Sequence, residues 1–210
     1  MMQADNFFSN DEKTRISEAI KEVETNTSGE VAVMVVDQSD KYPEAIMLGG
    51  ILLGCLGSLL ITDIFFLDSL WHFLPLAFGL ALLSGILLNK LPQGKLPFIS
   101  RTVLEERVRD RALRAFYEQQ LYKTRDNTGV LFFLSLFEHK VWVLADEGIY
   151  QKIDQKELNG YALEVAASVK QGKAAEGLCR EIARIGKILA HHFPIKDDDS
   201  NELSNEVITG

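Results

Sequence analysis

Ala45 to Asn89 reads AIMLGGILLGCLGSLLITDIFFLDSLWHFLPLAFGLALLSGILLN, with Asp63 and Asp68 as its only charged residues. A hydrocarbon core about 30 Å thick is crossed by roughly 20 apolar residues in a helix. Residues 45–66 reach that length, and residues 70–89 reach it again. Leu67, Asp68 and Ser69 are polar enough to turn between them, and Trp71 and His72 suit the headgroup zone. A buried helix pair in a soluble core would show a polar stripe, which these two lack. The stretch therefore predicts a transmembrane helical hairpin. Its apolar run begins behind a charged segment of 44 residues, unlike a signal peptide.

Gly49, Gly50, Gly54 and Gly57 in the first span and Gly79, Ser84 and Gly85 in the second form small-residue faces. Such faces allow close backbone approach, either within the hairpin or between two copies. The connection between the spans carries no Lys or Arg, whereas Lys41, Lys90, Lys95, Arg101, Arg107 and Arg109 flank the other side. The positive-inside rule predicts a multi-pass protein of the inner (cell) membrane with both termini cytoplasmic.

On either side of the hairpin the chain is polar. Ser9 to Glu12 has the spacing of a capping box, and Ile16, Ala19, Ile20 and Val23 continue it as an apolar helical stripe. Glu30 to Val36 (EVAVMVV) is a β-branched apolar run that predicts a buried strand. One helix and one strand make no core alone, so their partners lie beyond the hairpin. Residues 1–44 are thus the first part of a domain and residues 90–193 the second. Thr102 to Tyr122 predicts a helix with Leu104, Val108, Ala112, Ala115 and Phe116 inward. Thr128–Leu136 and Lys140–Ala145 predict an antiparallel strand pair joined through Phe137, Glu138 and His139. Asp154 with Glu157 predicts a second capping box, opening a helix to about Gln171, and Ala174–His191 a last helix. Residues 194–210 read as an acidic, loose tail. The fold class expected is α/β: a small central mixed sheet flanked by helices, interrupted by the hairpin.

Of 210 residues, 22 are basic and 30 acidic, a net charge of −8 that disfavours nucleic acid as a partner. The charge is unevenly shared: −6 over residues 1–44, +5 over 90–125 and −5 over 126–210. Arg101, Arg107, Arg109, Arg111 and Arg114 can meet anionic lipid headgroups or pair with Glu105, Glu106, Asp110 and Glu118 on their own helix. Cys55 and Cys179 are too few for a disulfide scaffold or a four-ligand zinc site. No phosphate-binding loop, dinucleotide fingerprint, nucleophile elbow or HExxH motif occurs. His191 and His192 at a helix end are explained by the terminal carbonyls there.

A right-handed crossover makes the first two strands parallel. Asp126 and Asn127 then meet Asp146, Glu147 and Glu30 at one sheet edge. Carboxylates there suit a hard cation such as calcium or magnesium, with Asp126, Asp146 and Glu147 as the metal candidates. They equally suit turn formation and helix capping. Asp197–Asn201 opens like a calcium loop, but Glu202 and Ile208 stand where its glycine and last acid belong, so it is rejected.

SGEVAVMVV, TGVLFFLSLFEHKVWVLADEGI and the ending GLCREIARIGKILAHHFP…NEL together resemble the TPM domain family, in a membrane-inserted bacterial form. The resemblance covers nearly everything outside the hairpin and implies an α/β sandwich. Within that family, acid phosphatase activity and divalent-cation binding have been proposed for plant and bacterial members, while others act as repair factors or receptor accessories. This chain departs from the photosynthetic type in its internal hairpin and in lacking a secretory leader, and no catalytic residue is carried over. The expectation is an integral membrane protein with a non-catalytic interaction or membrane-protein quality-control module. Its partners would be the lipid bilayer and either another membrane protein or a second copy. The alternative is a divalent-cation-dependent phosphomonoesterase. Transport is disfavoured, because two helices without a buried functional charge make no pathway.

Overall fold

The computed structural model describes residues 3–65, 70–124, 126–195 and 204–210. Phe66, the expected turn at Leu67, Asp68 and Ser69, and the acidic run Asp197–Asn201 lie outside the described residues. Two compact units are present, one of Met1–Ser39 with Glu105–Gly210 and one of Asp40–Leu104.

The first unit is built on a mixed four-stranded sheet in the order β3-β2-β1-β4. Its strands are β1 (Glu30–Val36), β2 (Gly129–Ser135), β3 (Lys140–Ala145) and β4 (Ile208–Thr209). β1 and β2 are parallel, with Glu30 opposite Gly129 and Val36 opposite Ser135. β2 and β3 are antiparallel. Every residue of β1 and β2 is buried, as their unbroken apolar runs require of strands covered on both faces.

Val31, Val33, Val35, Val130, Phe132 and Leu134 point to one face. There they meet α1 (Asn10–Glu24), α6 (Gln155–Lys170) and α7 (Ala174–His192) through Ile16, Ile20, Leu158, Val165, Leu178, Ile182 and Leu189. Ala32, Met34, Leu131 and Phe133 point to the other face, against Val108, Ala112, Ala115 and Phe116 of α4 (Arg101–Glu118). α4 ends earlier than its apolar stripe predicts, because Gln120 adopts φ 59°, and a 3-10 turn over Leu121–Lys123 follows. Its charges are partly paired: Arg111 holds Glu118 at 2.9 Å, and Glu105 takes Lys140 at 2.7 Å.

Ser9 caps α1 in both directions: its hydroxyl accepts from the Glu12 amide, and its own amide donates to the Glu12 carboxylate at 2.8 Å. The box expected at Asp154 is half formed. Asp154 accepts from the Glu157 amide at 2.7 Å, but the Glu157 carboxylate takes the Tyr161 hydroxyl instead. The tail expected to be loose ends as β4, because the outer edge of β1 offers backbone groups that Ile208 and Thr209 satisfy.

The second unit holds α2 (Pro43–Phe65) and α3 (Leu70–Lys90), followed by 3-10 turns over Pro92–Phe98. The helices run antiparallel, with Gly50 and Gly54 of α2 against Ala81 and Gly85 of α3. Ser58 Oγ donates to the Phe73 carbonyl at 2.8 Å. The small-residue face is therefore used within the hairpin. Met47, Leu56, Leu60, Phe65, Phe78 and Leu83 are exposed around it. Both helices are long and apolar enough to cross a membrane, with mean hydropathies of 2.2 and 1.8.

Candidate functional site

The edge where β1 and β2 begin and β3 ends is closed by backbone hydrogen bonds. The Glu30 amide donates to the Thr128 carbonyl at 3.2 Å, and the Asp146 amide to that of Gly129 at 2.9 Å. Asn127 adopts φ 54°, a conformation Asn tolerates. Its amide reaches the Thr124 carbonyl at 3.1 Å, while its own carbonyl accepts from the Gly148 amide at 3.1 Å. The sequence thus brings Asp126, Asn127, Asp146 and Glu147 to one edge.

The carboxylates there differ in task. Asp146 is the N-cap of a short helix, α5 (Glu147–Tyr150), its Oδ1 accepting from the Glu147 amide at 2.8 Å. Its Oδ2 is buried without a hydrogen-bond partner among the described residues. Asp126 Oδ2 accepts from the Ser28 hydroxyl at 3.4 Å. Asp126 and Glu147 both line an open cleft of about 570 Å³, shared with Ser28, Asn127, Lys152 and His192. Asp146 does not line that cleft.

Three of these lining residues were not anticipated. Ser28 and His192 meet because the chain after α7 crosses the loop before β1. Phe193 there takes the Thr27 hydroxyl at 2.6 Å and the Ser28 amide at 3.0 Å. Lys152 arrives just beyond α5, a helix too short to leave a period in the sequence. Two acids, a lysine, an imidazole and a hydroxyl give the cleft mixed charge.

Calcium or magnesium would take several oxygen ligands converging on one point. Among the described residues, no group of three or more His, Cys, Asp or Glu side chains is arranged to hold a metal ion. With Asp146 Oδ1 committed to its cap and Asp146 outside the cleft that Asp126 and Glu147 line, the three candidates do not form a ready ligand set. Glu30, at the same edge, has its side chain against Glu24 of α1.

Residues 98–188 match the family model described as the TPM domain. No curated protein matches the chain. Among solved structures, the NMR structure of BA42 protein from the psychrophilic bacterium Bizionia argentinensis is similar. It aligns over 100% of both chains with a TM-score of 0.62 and 21% identity, a likeness of fold.

Proposed function

We propose, from the premise that this chain carries a TPM domain over residues 98–188, that it is a membrane-anchored interaction or quality-control module without catalysis of its own. The carrying observation is the hairpin. Only 33% of the apolar window of α2 and 11% of that of α3 are buried, so neither resembles the core helix of a soluble protein. Helices that pack on each other through small residues and turn Leu, Ile and Phe outward are suited to lipid. The Lys and Arg flanks favour the inner (cell) membrane, with both termini in the cytoplasm. The TPM domain then offers its surface to another membrane protein or to a second copy.

Two measurements test this. The chain should sediment with membranes and be released by detergent but not by high salt or alkaline carbonate, and a C-terminal tag should be digested only after the cytoplasmic face is opened. Affinity purification in mild detergent should then recover a stoichiometric partner or a self-associated species. Recovery in the soluble fraction removes the anchor; a lone monomer in detergent removes the interaction role.

A second reading, a phosphomonoesterase dependent on calcium or magnesium, is favoured by one observation, the buried Asp146 Oδ2, which has no hydrogen-bond partner among the described residues. Against it, Asp146 lies outside the cleft that Asp126 and Glu147 line. Asp146→Asn is the suitable variant, since Asn caps a helix about as well as Asp. Equal phosphatase turnover before and after the change, or none in either protein, discards this reading.

A further inference from the structure

α4 turns Val108, Ala112, Ala115 and Phe116 to the sheet, which leaves Leu113 and Tyr117, one helical turn apart, on its outer side. They are 47% and 57% exposed. The chain reverses at Gln120, with φ 59°, and the 3-10 turn that follows brings Tyr122 back against Tyr117. The two ring centroids lie 5.2 Å apart, and Tyr122 is 41% exposed. Lys123 Nζ stands 5.8 Å from the centre of the Tyr122 ring. Arg109 and Arg114, both exposed, precede Leu113 and Tyr117 by one turn each.

The other large apolar side chains exposed on this unit, Tyr150, Leu163 and Ile195, stand on separate elements. Leu113, Tyr117 and Tyr122 share one face, and an apolar cluster left in water marks an interaction surface. Its acids do not dominate it. Asp110 is paired with Arg109 at 3.5 Å and Glu118 with Arg111 at 2.9 Å, while Glu106 lies two turns before Leu113, at the end away from the tyrosines. Residues 90–125 carry a net charge of +5, whereas residues 1–44 and 126–210 carry −6 and −5. Tyrosine rings edged by Lys and Arg suit the headgroup level of a bilayer. α4 also opens at Arg101, soon after α3 ends at Lys90, so a chain held by its apolar helices keeps this face at high effective concentration near headgroups.

We propose that this face of α4 is a lipid contact, an inference that rests on the membrane-anchored reading. Leu113, Tyr117 and Tyr122 enter the headgroup zone of an anionic bilayer, and Arg109, Arg114 and Lys123 meet its phosphates. The leucine and the rings supply apolar area, and the tyrosine hydroxyls stay in the wet layer. Each basic group near an anionic surface raises the docked population about fivefold, and salt screens that gain. The lipid composition thereby sets how often the domain is docked.

The test is lipid proximity, measured on the full chain in phosphatidylcholine vesicles with and without phosphatidylglycerol. With Cys55→Ala and Cys179→Ala in place, a fluorophore is attached at Leu113→Cys or, as a control, at Leu163→Cys on α6, where the side chain is 71% exposed. A nitroxide carried on lipid headgroups should quench the label at 113 more than the label at 163. Phosphatidylglycerol should deepen that quenching and high salt should reverse the gain. Arg109→Gln with Arg114→Gln, two exposed changes that spare the packing of α4, should lower the docked-to-free ratio about thirtyfold. Equal quenching at 113 and 163, or quenching at 113 that ignores both phosphatidylglycerol and the two arginines, overturns the proposal. Energy transfer between labelled copies in place of lipid quenching overturns it too, since the face would then be a protein contact. A chain that does not float with the vesicles removes the anchored reading and this contact with it, whereas floating with equal quenching removes the contact alone.

Discussion

The Gly148 amide donates to the Asn127 carbonyl at 3.1 Å, and a Cβ on Gly148 would stand 2.7 Å from that oxygen and from the Asp126 carbonyl oxygen. The glycine of the DEG sequence is thus set by close approach of two backbones, the turn before β2 and the start of α5. Both obstructing atoms are main chain, so no rotamer change relieves them. Gly148→Ala should part the two turns and lower stability by about 1–3 kcal/mol, as overpacking does. Thermal melting of the detergent-solubilised chain measures this, and an unchanged midpoint contradicts the close approach.

The hairpin has a comparable point. A Cβ on Gly54 would lie 2.6 Å from Ala81 Cα and 2.8 Å from its Cβ, whereas one on Gly79 meets nothing within 4 Å. Gly54→Val should therefore splay α2 from α3 and lower the thermal stability in detergent. Gly79→Ala should leave it unchanged or raise it slightly, since alanine is the better helix former. Both variants should still sediment with membranes, because the apolar length is kept. A Gly54→Val melt matching that of Gly79→Ala would remove the case for packing through glycine.

What was legible in the chain follows from what leaves a local signature. The apolar run Glu30–Val36 is β1 to the residue, and Ser9 with Glu12 makes a reciprocal cap. The strand pair around Phe137–His139 and the parallel pairing of β1 with β2 follow from turn length and crossover handedness. β4 was missed because two residues carry no period, and the edge they complete is defined only once β1 is placed. Asp146 shows why a ligand and a cap are hard to separate in sequence: one of its oxygens caps α5 and the other has no hydrogen-bond partner among the described residues. Ser28 and His192 share a cleft through contacts spanning more than 160 residues of chain, which no local pattern records.

Melting should also report on Glu24. Unfolded, the group titrates near 4.5, and folded near 8 through burial foremost and then the charge of Glu30, so over that window the native state holds a proton that the unfolded state does not. Stability then falls as pH rises from about 4.5 to about 8 and is level with respect to this group above that. Melting midpoints of Glu24→Gln across the same range should fall less than those of the wild type. Parallel curves for the two proteins would show that the group does not link folding to pH.

A buried carboxylate on α7 gives the last expectation. Glu181, fully buried, accepts from Arg180 Nε at 2.9 Å and from Arg184 Nη1 at 2.6 Å. Arg180 also reaches the Ser168 hydroxyl at 3.2 Å, and the Arg184 guanidinium lies 5.2 Å from the centre of the Tyr161 ring. Either arginine alone can keep the carboxylate paired, so Arg180→Ala or Arg184→Ala should each cost about 1–2 kcal/mol. Removing both strands a buried charge, and a charge without a partner is far more costly than a weakened pair. The double variant should lose at least about 1 kcal/mol more than the sum of the single losses. Adding Glu181→Gln to the double variant should recover that excess, because the amide carries no charge to strand. Additive losses, or no recovery with Gln, would mean that solvent already neutralises the site.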